Sequence, residues 1–262
     1  MAVITLLTDF GNKDGFVGTM KGVIWQICPS AQIADISHEI APQNIREGAI
    51  ALWRAAPFFP EDTVHIAVVD PGVGTRRRPM AARLGKMYFV GPDNGLFTPF
   101  IENAYAKGET PRFVTLDQPR WFLPNVSRTF HGRDIFSPVG AYLASGVPLE
   151  ALGTLFEDPV LLPLSKPART ARGYQAHISV IDVFGNCTTD LPAAAIAGHE
   201  IEIRVNGKTV HGLSPSYGHH PSGELIALVD SEDFLEVAVV NGSAASVLNA
   251  QVGDEVEVIF TT

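Results

Sequence analysis

Apolar residues along the first half of the chain come in two alternating textures. Residues 2–8 are a short Val/Ile/Leu-rich run that breaks at Asp9-Phe10-Gly11-Asn12, the look of a strand and its turn. Phe16, Met20, Val23, Ile24 and Ile27 then keep helical spacing, with Asp14 placed to cap that helix and Pro29 to end it. Residues 31–36 read as a second strand. Asn44, with Glu47 three residues later, has the form of a capping box and opens a helix through Ile50, Leu52 and Trp53. Residues 63–69 are a third strand running straight into Asp70-Pro71-Gly72-Val73-Gly74. Residues 87–90 are a fourth, ending at Gly91-Pro92-Asp93-Asn94-Gly95. Strands alternating with helices predict an α/β domain with a mostly parallel central sheet covered on both faces.

The texture changes after about residue 163. Residues 164–173 are polar and poor in apolar positions, as a linker is. Beyond them, residues 176–181, 201–205, 225–229, 234–239 and 255–260 form short alternating runs, punctuated by Gly207, Gly212, Gly218, Gly223 and Gly253. Short strands with frequent turns predict a smaller all-β barrel or sandwich. The expected division is an N-terminal α/β domain at 1–163 and a C-terminal β domain at 174–262.

Composition narrows the partners. With 46% hydrophobic and 18% charged residues over 262 positions, the chain is a packed globular protein that needs no covalent staples. The net charge is -9, and basic residues cluster only at Arg76-Arg77-Arg78. A nucleic-acid binder draws its affinity from a basic surface, so nucleic acid is excluded as a partner. Cys28 and Cys187 lie far apart on apolar stretches, which suits two thiols in a reducing compartment. The N-terminus has no basic n-region, and no window approaches the ~18 apolar residues of a membrane span. A cytoplasmic protein without membrane contact is expected.

In open α/β sheets, ligands collect outside the carboxyl ends of the strands. Asp9, Asp70 and Asp93 stand at such ends. Phe130-His131-Gly132-Arg133-Asp134 precedes another helical stretch, and Asp182-Val183-Phe184-Gly185-Asn186 interrupts the β pattern. Taken singly each has a plain structural explanation: a turn-forming Asp, a glycine in a tight turn, a core histidine, a solvated arginine run, a hairpin loop. The chain lacks the Gly-Lys-Ser/Thr of a P-loop, a Gly-x-Ser-x-Gly elbow and zinc-ligand spacing of its histidines.

Together the segments LLTDFGNKDGFVGTMKGVIWQICPSAQIADISHEIAP, VVDPGVGTRRR, VGPDNGLF, TFHGRD, IDVFGN and VDSEDFLEVAVVNGSAA run in order through nearly the whole chain. The chain thereby resembles the S-adenosylmethionine hydroxide adenosyltransferases, or S-adenosylmethionine hydrolases, relatives of the fluorinating and chlorinating enzymes. The resemblance implies an N-terminal α/β domain, a C-terminal β-barrel and a homotrimer, with substrate between one subunit's first domain and a neighbour's second. It implies hydrolysis of S-adenosylmethionine to adenosine and methionine by water held between Asp70, Arg77 and His131. The loop alone leaves Arg76 and Arg78 able to exchange roles with Arg77. The resemblance further assigns Asp9 to the ribose hydroxyls, Asp182 to the methionine ammonium, Phe184 and Asn186 to adenine, and Ser231, Glu236 and the backbone near Val239 to the strand closing over both. No metal or other cofactor is implied.

The halogenating relatives carry Tyr where this chain has Asp70, and the fluorinating ones Ser at Gly132 and Arg at Glu232. A carboxylate beside the reacting carbon repels halide and favours water. Two other readings compete with hydrolysis and halogenation. A calcium-type nucleoside hydrolase also gathers Asp residues at strand ends, but its N-terminal Asp cluster is absent. A non-catalytic adenosine or S-adenosylmethionine sensor would have no use for a water-activating set.

Overall fold

Side chains of successive strand residues point to opposite faces, and this chain fills both faces with apolar groups. In β1 (Val3–Thr8), Ile4 and Leu6 join one buried cluster and Leu7 the other; in β3 (Val64–Val68), Val64, Ile66 and Val68 face the first cluster and Ala67 the second. The first face is covered by α1 (Phe16–Ile27) and α4 (Ser137–Ala144), the second by α2 (Ile45–Ala55) and α3 (Thr98–Ala106). The structure, a computed structural model, describes residues 2–261. They fall into two compact units that divide between residues 162 and 163.

The sheet of the first unit has seven strands. Besides β1 and β3 they are β2 (Gln32–Ser37), β4 (Pro79–Leu84), β5 (Met87–Pro92), β6 (Arg112–Leu116) and β7 (Gly153–Phe156), in the order β2-β1-β3-β5-β4-β6-β7. Pairs β1/β2, β1/β3 and β3/β5 are parallel; β5/β4, β4/β6 and β6/β7 are antiparallel. The parallel half was legible in the alternation of strands and helices. The antiparallel half enters through β4, which the sequence pattern hides behind the arginine run and an opening proline. Because β1, β3 and β5 run the same way, Asp9, Asp70 and Asp93 follow their carboxyl ends along one edge of the sheet.

Half of the expected capping box at α2 forms: Asn44 Oδ1 accepts from Glu47 N at 3.1 Å, but Glu47 Oε2 accepts from Asn44 Nδ2 and Ala41 N, and Asn44 N donates to the Ala41 carbonyl. The expected Asp14 cap of α1 does not form. The N-cap there is Gly15 at φ 73, with no side-chain bond, because the left-handed entry places glycine where a capping side chain would sit.

The second unit is an antiparallel sheet in the order β12-β11-β15-β9-β10-β14-β13. Its strands are β8 (Ala168–Thr170), β9 (Gly173–Ile181), β10 (Cys187–Pro192), β11 (Ile201–Val205), β12 (Lys208–His211), β13 (Leu225–Val229), β14 (Phe234–Val239) and β15 (Glu255–Phe260). The edge strands β12 and β13 come together, so the sheet is nearly a closed barrel. A short helix, α5 (Ala244–Leu248), follows β14, and Ala244 and Leu248 join the barrel's apolar core. The stretch expected as a linker contributes β8, which pairs with β9. Cys28 and Cys187 are both free and buried, and no helix among the described residues is long and apolar enough to cross a membrane.

His65 sits in the middle of β3 with no exposed surface. Its Nδ1 meets Thr5 Oγ1 at 2.7 Å and its Nε2 meets Met87 Sδ at 3.2 Å, so the neutral ring is satisfied at both ends. Burial lowers its pKa to about 4. An unfolded histidine titrates near 6.5, so below that pH the unfolded chain binds a proton that the folded one refuses. Stability contributed this way is complete above pH 6.5 and is lost as pH falls towards 4, by as much as about 3 kcal/mol. Urea unfolding at pH 7, 5.5 and 4 should therefore show a steeper acid loss for the wild type than for His65→Leu; parallel losses would refute it.

Candidate active site

Asp70 begins a tight loop at the end of β3. Val73 N bonds the Asp70 carbonyl at 3.2 Å, and Thr75 Oγ1 bonds the Gly72 carbonyl at 2.7 Å and accepts from Arg77 N at 3.2 Å. These bonds reverse the chain and send the Arg77 side chain back over Asp70. Gly74 has φ 74, and a Cβ there would fall 2.3 Å from the Arg128 carbonyl oxygen. Only glycine lets this loop lie against the segment that carries His131.

Arg77 grips Asp70 with two parallel bonds, Nε to Oδ1 at 3.0 Å and Nη2 to Oδ2. The same Nη2 reaches His131 Nδ1 at 3.1 Å. Guanidinium only donates, so Nδ1 accepts, and the neutral His131 ring carries its proton on Nε2. Burial and then the Arg77 charge hold the His131 pKa below its ordinary value, against the opposing pull of Asp70, Asp134 and the Ser127 backbone. The Asp70 and Arg77 side chains are only 4% and 7% exposed. Arg77 Nη1 is buried and has no hydrogen-bond partner among the described residues.

The other two arginines of the run lie elsewhere. Arg76 is exposed. Arg78 pairs with Asp93 at 3.3 Å and Asp158 at 2.8 Å and lies over the Phe156 ring. The structure thus places Arg77, and neither neighbour, on Asp70 and His131. Asp93 serves the scaffold: it takes Arg78 and accepts from Val160 N.

His131 is set by the turn that follows it. Residues Gly132–Phe136 form a single π-helical turn leading into α4, a wide turn that is common at functional sites. Buried Asp134 accepts from Ser127 N at 2.8 Å and from Arg133 Nε at 2.6 Å, stapling the 127–131 loop to that turn. On the adjoining parallel strand, Asp9 Oδ2 accepts from Gln43 N at 2.8 Å. Gln43 holds φ 66, a conformation costly for a side-chain-bearing residue, to aim that N–H.

The second unit gathers the remaining expected residues in two groups. Asp182, Phe184 and Asn186 occupy the hairpin loop between β9 and β10. Asp182 Oδ1 accepts from the Phe184 and Asn186 amides and its Oδ2 from Asn186 Nδ2, so this carboxylate first organises its own loop. Phe184 is exposed and Asn186 buried. Gly185, at φ 84, permits close approach of Ser243. The other group lies on β14 and the turn before it. Glu236 is buried and accepts from Tyr217 Oη at 2.6 Å, with Thr188 Oγ1 at 3.2 Å. Burial raises its pKa, partly offset by those two hydroxyls. Exposed Ser231 sits in a turn held by Asp230, whose Oδ1 accepts from Glu232 N and Phe234 N. Val239 is buried at the end of β14, its carbonyl accepting from Gly242 N.

Sequence reasoning did not find Gln43, Tyr217, Thr188 or Asp230; the first three act through contacts between segments remote in sequence, and Asp230 holds its own turn. Among the described residues, no group of three or more His, Cys, Asp or Glu side chains is placed to hold a metal ion.

Two family models match this chain, the SAM hydroxide adenosyltransferase N-terminal domain over residues 4–153 and its C-terminal domain over 176–257. The chain belongs to the SAM hydroxide adenosyltransferase family. Among its relatives, a protein of Salinispora arenicola named (R)-S-adenosyl-L-methionine hydrolase is 38% identical over 97% of both chains. An uncharacterised conserved protein from Thermotoga maritima has a crystal structure that superposes with a TM-score of 0.91, at 37% identity, covering 98% of this chain and 99% of that one. A fluorinase of Actinoplanes sp. is more distant, 29% identical over 78% of this chain and 77% of its own. Within this family fold, the Asp70–Arg77 pair is a buried charge pair of the kind whose halves depend on each other.

Removing one partner of such a pair strands the other. Arg77→Leu should destabilise the protein by about 3 kcal/mol in urea unfolding, through the uncompensated Asp70 carboxylate. The double variant Asp70→Leu/Arg77→Leu should recover most of that loss. Additive losses would show that the two side chains are not energetically coupled.

Proposed function

We propose that this chain hydrolyses (R)-S-adenosyl-L-methionine to adenosine and L-methionine, with water attacking the ribose C5′ carbon in line with the departing sulfur. The observation that carries this reading is the single Arg77 side chain bridging Asp70 and His131 at the edge of the first sheet. The relatives' names supply the substrate and its sulfonium configuration.

The chemistry asks little of a leaving-group acid. As the new C5′–O bond forms, the C5′–S pair returns to sulfur and methionine leaves as a neutral thioether. Water is the weak partner, because it holds its proton far above neutral pH. Each Asp70 oxygen spends one lone-pair direction on Arg77 and keeps another for a water O–H, so Asp70 accepts the proton during attack and returns it to solvent. Arg77 fixes the plane of the Asp70 carboxylate and with it the position of the water. His131, accepting from Nη2, holds the guanidinium at the angle that serves both. Asp9 accepts the ribose hydroxyls. Asp182 takes the ammonium, Phe184 and Asn186 the adenine, and Ser231, Glu236 and Val239 line the closing strand.

Hydrolysis is favoured over halide transfer by Asp70 itself, since a carboxylate at the attack position repels an anionic nucleophile and accepts from a neutral one. The working form is a homotrimer in the cytoplasm that needs no metal or other cofactor.

Purified protein incubated with each sulfonium epimer should release adenosine and methionine together, faster from the (R) form, with no effect of chelator or added halide. Halogenated nucleoside, or loss of activity on chelation, would overturn the reading. Tight adenosine binding without turnover would make the protein a sensor instead.

Two variants and a pH profile test the roles. Asp70→Asn should lower kcat by at least about 100-fold while adenosine binding persists. In the wild type kcat/KM should fall on the acid side only below pH 6.5, because a proton on His131 Nδ1 opposes the Arg77 donor and the ring's pKa is lowered. An acid limb lying above 6.5 would remove His131 from that role. Light scattering should return three times the chain mass.

A further inference from the structure

The turn that carries Asp9 is held from the neighbouring strand. β1 and β2 pair in regular parallel register from Val3 with Gln32 to Leu6 with Asp35, and then slip by one residue so that Leu7 faces Ser37. A bulge of this kind re-aims the side chains beyond it. Here it carries His38 forward to lie beside Thr8, where unbroken register would have left Ser37.

His38 is 4% exposed, and its Nδ1 lies 2.9 Å from Thr8 Oγ1. The Thr8 hydroxyl accepts from Phe10 N at 3.2 Å, spanning Asp9 with a side-chain turn. The same hydroxyl keeps its proton and a second lone pair, either of which can meet His38 Nδ1. Nε2 in turn lies 3.1 Å from Asp35 Oδ1, without the alignment of a full hydrogen bond, and Lys21 Nζ holds the other Asp35 oxygen at 2.6 Å. His38 also grips the far side of the turn, its carbonyl accepting from Gly11 N at 2.8 Å. Asp9 is thus bracketed: Thr8 before it is tied to the His38 ring, and Gly11 after it to the His38 backbone. A histidine placed only for packing would not require its ring nitrogen to meet the one hydroxyl that shapes this turn.

We propose that His38 is a positioning residue for the Asp9 carboxylate, acting through the Thr8 hydroxyl, and thereby sets the protein's preference for a ligand bearing both ribose hydroxyls. The inference rests on the assignment of Asp9 to those hydroxyls in the reading above. A carboxylate accepts a vicinal diol with two bonds only when its plane is fixed, and a turn free to rotate about Asp9 loses that geometry.

The test compares adenosine with 2′,3′-dideoxyadenosine by calorimetry on wild type, His38→Leu, His38→Asn and Thr8→Val, with thermal unfolding recorded for each. The wild type should bind adenosine more tightly than the dideoxy nucleoside by about tenfold or more. His38→Leu should lose about tenfold for adenosine and less than about twofold for the dideoxy nucleoside. His38→Asn, which keeps a hydrogen-bonding group near the Nδ1 position, should recover most of the loss. Thr8→Val should reproduce the selective loss without touching the imidazole, and it carries the comparison if His38→Leu does not fold. In an Asp9→Asn background, His38→Leu should cost nothing further.

Equal weakening towards both nucleosides, or no change, would overturn the proposal, the first outcome marking His38 as a general stability residue. Turnover measured on the same proteins separates the two claims. Ribose discrimination that depends on His38 in a protein without turnover leaves this inference standing and removes the hydrolase. Turnover by a wild type that does not distinguish the two nucleosides leaves the hydrolase and removes this inference.

Discussion

The parallel pairing of β1, β3 and β5 is the constraint on which the first unit's chemistry depends. Three strands running the same way end at one edge of the sheet, so the turns after them deliver Asp9, Asp70 and Asp93 along that edge without any of the three being near another in sequence. The apolar residues that lock this register are buried on both faces, and a slip of one residue in β3 would exchange Ile66 and Ala67 between clusters. Core packing therefore sets the spacing of the carboxylates. The bulge between β1 and β2 is the one local departure from that rule, and it falls where the second-strand residue His38 has to meet Thr8.

Arg77 gives this edge its electrostatic character. It is buried, bonds both Asp70 oxygens, and donates to a histidine that accepts only while neutral. A guanidinium does this work where an ammonium would not, because its planar fork serves a carboxylate and a third acceptor at once. Its position comes from backbone: Gly74 lets the loop press on the Arg128 carbonyl, and the Thr75 hydroxyl catches Arg77 N. The neighbouring Arg78 shows how little sequence distance decides. One residue on, the side chain is committed to Asp93, Asp158 and the Phe156 ring.

What the sequence made legible was what its local pattern carried. The parallel strands, the Asn44 cap and five of the eight barrel strands follow from periodicity and capping chemistry. The misses have physical causes. β4 opens with Pro79 straight after three arginines. β10 reads Cys-Thr-Thr-Asp-Leu-Pro, its Thr188 and Thr189 buried only because tertiary partners bond them. β12 follows Asn206-Gly207, at φ 45 and 76, a two-residue hairpin signal carried by the sequence itself. Among candidate site residues, the acids at strand ends stood out, and the resemblance supplied the roles. Gln43 and His38 did not stand out: one acts through a backbone N–H in a left-handed conformation and the other through register, and neither leaves a mark in composition.

Under the proposed function the arrangement also bears on which nucleophile this edge suits. The proposed substrate brings a positive sulfonium, which becomes neutral as the bond to C5′ breaks, so the field at the reacting carbon runs from cation towards nothing. A carboxylate there stabilises the charged ground state as well as the approach of water, and its catalytic gain must come from accepting the proton that water loses. That gain is available only if Asp70 is fixed against rotation, because a freely turning carboxylate would instead turn towards the sulfonium. The paired bonds from Arg77 deny it that freedom. In the proposed reaction the fixed carboxylate both disfavours an anionic nucleophile and takes the proton that water loses.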